Sequence, residues 1–143
     1  MAKTVLVVAN ETLGGASLLA RIKEKAAGDP DARVVVCVPR TNPRQGNIIY
    51  DEAVFDAAQV RIDLARKIFR EEGIEAIGEV GDPDPYTATM NALQFFRVDD
   101  IVISTLPATR SGWMRADLIE RVRRASNKPV EHVESADSAE AVA

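Results

Sequence analysis

The chain has 143 residues, 46% of them apolar, 28% charged and 5% aromatic, with 22 acidic against 18 basic side chains and a formal charge of -4. A chain of this length buries roughly 68 to 70% of its unfolded surface, so a single hydrophobic core forms without a disulfide or metal staple. The lone cysteine excludes a disulfide framework and fits a reducing, cytoplasmic setting. No apolar stretch approaches the ~18 residues of a membrane span, and the N-terminus enters a strand pattern at once, so neither membrane nor secretion signal is expected. Basic residues scattered among acids lack the footprint that phosphate-backbone binding demands, which excludes nucleic acid as the expected partner.

Thr4 to Ala9 is the first of five short runs rich in valine and isoleucine; the others are Arg33 to Val38, Ile74 to Val80, Asp99 to Ser104 and Val130 to Val133. β-Branched side chains fit a pleated surface, and the near-continuous apolar character of the first, second and fourth runs predicts strands buried on both faces. Cys37, inside the second run, reads as a small hydrophobe.

Four segments of helical period separate the strands. The first opens near Gly14, puts Gly15, Leu19, Ile22 and Ala26 on one face and stops at Gly28-Asp29-Pro30. The second runs from Asp51 to Glu72 with a stripe of Val54, Ala58, Ile62, Ala65 and Phe69, and Gly73 is placed to end it. The third follows Pro85 and offers Tyr86, Met90, Leu93 and Phe96 to the sheet. The fourth begins at Ser111 or Gly112, carries Met114, Leu118, Val122 and Ala125, and stops before Pro129. The opposite faces, with Arg61, Arg66, Arg70, Arg121 and Arg123, read as solvated. Strict alternation of strand and helix predicts one doubly wound, Rossmann-like α/β sandwich over residues 1–134 with a parallel five-stranded sheet, followed by a flexible tail over 135–143. The 12-residue connection from Pro39 to Tyr50 is either a functional loop or a plain excursion.

In an open parallel sheet the ligand sits beyond the carboxyl ends of the strands, where the chain reverses direction. That selects the segment Asn10 to Ser17 after the first strand and Ser104 to Trp113 after the fourth. Thr109, Arg110 and Ser111 immediately precede a helix, whose unpaired N–H groups and positive dipole end attract anions. The alternative is that Ser111 is only a helix cap and Arg110 only a surface charge. Gly14 and Gly15 equally suit close approach to a ligand or a tightly packed helix start. Neither a Walker loop nor a dinucleotide fingerprint is present. Trp113 and Tyr50 read as core or interface aromatics before ligand-stacking ones.

His132, the only histidine, lies far along the chain from any serine or cysteine nucleophile, and one histidine with one buried cysteine makes no zinc site. Asp82 and Asp84, between Pro83 and Pro85, suit a turn leading into a helix whose dipole favours acids. Asn10, Glu11, Asp82 and Lys128 imitate a response-receiver site only loosely, because the first acid pair is incomplete and Lys128 precedes its strand.

On the strength of VLVVAN, GDPDPYTATMNAL, DDIVISTLPATRSGW and KPVEHV, the chain resembles the universal stress protein family from Lys3 to Glu134. The resemblance implies the strand order 3-2-1-4-5, a non-enzymatic stress-response regulatory domain, a ligand crevice between the turns after strands 1 and 4, and homodimerisation through the last strand. Glu131 and Glu134 on that strand also suit protection of a free sheet edge. ATP-binding members carry a glycine pattern for which this chain has Ser104, Pro107 and, near its close, Ala116 and Asp117. Asn10 stands where the family has an aspartate, Glu11 adds a like charge beside any triphosphate, and Pro107 removes a donor. The resemblance therefore implies a crevice altered from the ATP form, one that takes a nucleotide or other phosphate-bearing small molecule on Asn10, Thr12, Gly14, Gly15, Val38, Ser104, Thr105, Thr109, Arg110 and Ser111. A ligand-free homodimeric interaction module and a hydrolase of a phosphorylated or adenylated substrate are the alternatives.

Overall fold

The computed structural model describes residues 3–9, 12–13, 15–39, 51–105 and 117–134, with the side chains of 51–55 excepted. Five strands, β1 (Thr4–Val8), β2 (Arg33–Pro39), β3 (Glu75–Gly81), β4 (Asp100–Thr105) and β5 (Val130–Glu134), alternate with α1 (Ala16–Ala26), α2 (Asp51–Glu71), α3 (Pro85–Phe95) and α4 (Leu118–Ser126). The strands are all parallel and stand in the order β3-β2-β1-β4-β5, as the resemblance implied. No helix among the described residues is long and apolar enough to cross a membrane.

Side-chain alternation along the strands divides the core into two layers. Val5, Val7, Val34, Val36, Val38 and Val102 face α1 and α2, meeting Leu18, Ile22, Ala58, Ile62, Ala65 and Phe69. Leu6, Val8, Val35, Cys37, Ile101 and Ile103 face α3 and α4, meeting Ala88, Ala92, Leu118, Ile119 and Val122. The continuous apolar runs are thereby explained: β1, β2 and β4 have a helix layer on each side, and burying each large aliphatic side chain there contributes about 1.5–3 kcal/mol. β3 is an edge strand, and its outer positions are correspondingly exposed.

Three helix faces differ from the sequence reading. In α1, Leu18 shares the deepest position with Ile22, while Leu19 and Ala26 are only partly buried. In α3 the innermost residues are Ala88, Thr89 and Ala92, and Tyr86, Met90, Leu93 and Phe96 form a half-buried rim. Small side chains win that face because the helix lies close to the sheet. A Cβ on Gly81 would stand 2.7 Å from the Ala88 Cβ and 3.1 Å from the Cys37 Sγ. In α4, Ile119 is buried and Ala125 exposed. The expected start of that helix, with Met114, lies outside the described residues, as do the Val54 side chain, the connection after Pro39 and the tail over 135–143. The expected end of α2 is realised: Gly73 takes φ 78°, the left-handed conformation that suits glycine.

Several charges read as solvated have structural partners. Arg66 donates its Nε–H to the Ala76 carbonyl at 3.0 Å, covering part of the β3 edge, and the Arg121 guanidinium stands 4.2 Å above the Tyr86 ring. Glu131 is drawn onto α1 by Arg21 at 2.7 Å and Lys25 at 3.0 Å. Lys3 meets Asp100 at 2.6 Å nearby, which ties α1, β1, β4 and β5 together at the amino end of the sheet.

The Gly81 contact gives a direct test of this packing. Gly81→Ala forces a methyl against Ala88 and Cys37, neither of which has a longer side chain to swing aside. We expect a loss of about 1–3 kcal/mol in urea unfolding with an unchanged m value, as overpacking costs elsewhere; full wild-type stability would contradict the close approach of α3.

Candidate functional site

From β1 the chain steps outward to β2 and β3, then crosses to β4 on the other side of β1, and this reversal opens the sheet at its carboxyl end. The turn after β1 is fixed from below. Leu13 is inserted into the α1–α2 core layer, the Gly15 N–H donates to the Thr12 carbonyl at 2.9 Å, and Gly15 takes an extended conformation before α1 begins. Thr12 is thereby held over the end of β4, where its Oγ1 lies 2.6 Å from the Ser104 Oγ. Both side chains are buried, 2% exposed in each case. Two hydroxyls sharing one hydrogen bond retain a further donor hydrogen and further lone pairs, so the pair joins the turn after β1 to the end of β4 and keeps hydrogen-bonding capacity there.

Thr105, the next residue, points to the opposite face by strand alternation. Its Oγ1 lies 2.7 Å from the Nε2 of His132 on β5. His132, expected to stand apart from any serine or cysteine nucleophile, has a threonine hydroxyl as its partner instead. The signal was available in the strand order, since β4 and β5 are neighbours and Ile103 pairs with His132 in register. Thr105 thus belongs to a hydroxyl–imidazole pair on the α3–α4 side and does not share the Thr12–Ser104 face. Val38 sits at the end of β2 but is fully buried in the α1–α2 layer, so its side chain is core and not an exposed crevice contact.

Of the other expected site residues, Asn10, Gly14, Thr109, Arg110 and Ser111 lie outside the described residues, together with Glu11, Leu106, Pro107 and Trp113. Asp117, at the close of the altered glycine pattern, has φ 58° and an exposed carboxylate 3.9 Å from Arg124.

Asp82 and Asp84 perform the structural work expected of them. The Asp84 carboxylate accepts from the Thr87 N–H at 3.1 Å and from the Thr87 hydroxyl at 2.7 Å, capping α3, and Asp82 accepts from the Asp84 N–H at 2.9 Å. The Thr87 hydroxyl, with the Thr87 N–H and the Arg121 charge, holds the Asp84 carboxyl below its ordinary pKa. Burial raises the Glu79 carboxyl, and burial with the Glu79 charge pushes the Cys37 thiol up to about 12. Cys37 is therefore an inert core thiol, its S–H directed at the Ala88 carbonyl. Among the described residues no group of three or more histidine, cysteine or acidic side chains could hold a metal ion.

The fold has counterparts among solved structures. A protein of the universal stress protein family from Burkholderia pseudomallei superimposes with a TM-score of 0.68 at 17% identity, over 93% of this chain and 96% of that one. A universal stress protein from Archaeoglobus fulgidus gives 0.65 at 20% identity, over 93% and 98%. A universal stress protein in complex with cAMP gives 0.56 at 19% identity, over 92% and 96%. This chain therefore has the fold of the universal stress proteins. No protein-family model matches it, and no curated protein does.

Two tests follow from the site geometry. Thr12→Val and Ser104→Ala each leave a buried hydroxyl without its partner and should cost about 1–3 kcal/mol. The double variant should fall short of their sum by about 0.5–3 kcal/mol, and strict additivity would show that the hydroxyls do not touch. Asp84→Ala should lose about 1 kcal/mol at neutral pH through the missing cap. Because the folded pKa of Asp84 is depressed, its contribution is present above the unfolded value and is lost as pH falls through the folded one. The gap between wild type and variant should therefore close in acid unfolding below about pH 4; a gap that widens there contradicts the assignment.

Proposed function

We propose that this chain is a non-enzymatic regulatory domain of the universal stress type that binds a nucleotide or other small phosphate-bearing ligand in the crevice between the turns after β1 and β4. The observation that carries the reading is the Thr12–Ser104 contact, which brings the turn after β1 against the end of β4 at the switch point of the sheet. The cAMP complex of a protein with the same fold supports a nucleotide as the ligand class. Thr109, Arg110 and Ser111 follow β4 by a few residues, and a guanidinium with two hydroxyls ahead of a helix suits a phosphate group.

The ligand is expected to differ from the triphosphate of ATP-binding relatives. Glu11 adds a negative charge to the segment after β1, Asp117 carries an exposed carboxylate at the close of the altered glycine pattern, and Pro107 removes a backbone donor. A monophosphate or cyclic phosphate suffers less from these charges than a triphosphate does. The working setting is cytoplasmic and the assembly a homodimer through β5. With Glu131 turned onto α1, the β5 edge lacks one of the two acids that would discourage a second strand.

Calorimetric titration of the full chain with cAMP, ATP and inorganic phosphate tests the proposal. We expect saturable binding, tighter for the cyclic monophosphate than for ATP, with no turnover of either nucleotide. Arg110→Ala should weaken binding roughly 10- to 100-fold, the worth of a hydrogen bond to a charged group. Unchanged affinity in that variant would move the phosphate cradle elsewhere, and ATP hydrolysis would overturn the non-enzymatic reading.

A further inference from the structure

The outward face of α2 is not the solvated face that its sequence suggested. Val60 and Leu64 are each 57% exposed, and Ala57 beside them is exposed as well. With Lys67 they fall at the spacing 57, 60, 64, 67, which is the three-four-three spacing of a helix–helix seam. A helix that has already buried one stripe against a sheet normally leaves polar residues opposite. Here the inner stripe of Ala58, Ile62, Ala65 and Phe69 is in the core, and a second, narrower apolar stripe faces away from it.

The charges around this second stripe indicate what covers it. Exposed Asp56 lies toward its amino end, and exposed Lys67 and Arg70 toward its carboxyl end. Among the described residues, none of the three makes an ion pair. Asp56 and Lys67 are eleven residues apart, roughly 16 Å along the axis at 1.5 Å per residue, too far to meet within one helix. An identical helix laid antiparallel across the stripe brings the acid of each copy to the bases of the other. The same arrangement sets Val60 and Leu64 against their counterparts. The Lys67 stem then covers Ala57, a residue small enough to admit it, and its ammonium reaches the acidic end. Asp63, also on this flank, is already held by the Gln59 side-chain amide at 3.1 Å. A parallel pairing would instead set Asp56 against Asp56 and Lys67 against Lys67.

We propose that α2 is a self-association surface, on which two copies of this chain pair antiparallel about a two-fold axis through Ala57, Val60, Leu64 and Lys67. The contact is isologous, so it closes on itself. It lies on a helix face remote from β5 and is independent of the crevice reading.

Sedimentation equilibrium of the full chain across the micromolar range tests it. Leu64→Glu, at an exposed position, should leave the circular dichroism spectrum unchanged and abolish one doubling of mass, whichever other assembly the chain forms. Asp56→Lys and Lys67→Asp should each weaken the same step about tenfold or more, and the double variant Asp56→Lys/Lys67→Asp, with both signs reversed, should restore it. Equal masses for wild type and Leu64→Glu would overturn the proposal. So would a double variant that associates no better than the two single ones, because only an antiparallel pairing predicts rescue.

Discussion

At the carboxyl end of the sheet, one contact between two buried hydroxyls joins residues 92 positions apart in the chain. Its geometry depends on nearly everything below it. Thr12 is in place because Leu13 is anchored in the core and Gly15 closes the turn, and Ser104 because β4 pairs with β1 in a fixed register. The register in turn is enforced by alternation: a slip of one residue along β4 would exchange Ile101 and Ile103 for Asp100, Val102 and Ser104 in the α3–α4 layer. A hydroxyl contact worth little by itself thus reports on the correct assembly of the whole central sheet.

The two ends of this sheet are built differently. At the amino end, Lys3, Arg21 and Lys25 neutralise Asp100 and Glu131, and ion pairs clamp α1 across β4 and β5. At the carboxyl end two uncharged contacts lie on opposite faces of the sheet, Thr12 with Ser104 on one and Thr105 with His132 on the other. Charges that satisfy one another leave nothing for a ligand, whereas hydroxyl pairs keep spare hydrogen-bonding capacity.

Strand positions and a sheet covered by helices on both faces were readable from the sequence because continuous valine and isoleucine runs have few other uses, whereas the strand order rested on the resemblance. The ends of α1 and α2 were equally plain, marked by Gly28 and Gly73. Helix faces were harder. In α3 the larger side chains Tyr86, Met90 and Phe96 suggested the buried stripe, yet Ala88 and Ala92 occupy it. Size favours burial only where there is room, and room depends on how closely the helix approaches Gly81 and Cys37. The partners of Arg66, Arg121 and Glu131 were hidden for a related reason: each lies on a different element, and periodicity says nothing about what crosses between elements. At the carboxyl end, topology selected the segments that bear Thr12 and Ser104, and these two residues meet. It did not assign Thr105 to the opposite face with His132, although strand alternation contained that information.

We propose that the turn bearing Thr12 and the strand end bearing Ser104 form the floor of a ligand site. Amide chemical-shift mapping during titration with cAMP tests it most directly. Progressive, saturable shifts are expected at Thr12, Gly15, Ser104 and Thr105, with the amino end of the sheet unmoved. Shifts confined to the recess at the opposite end, lined by Lys23, Gly28, Asp29, Glu72 and Gly73, or no saturable shift at the hydroxyl pair, would contradict it.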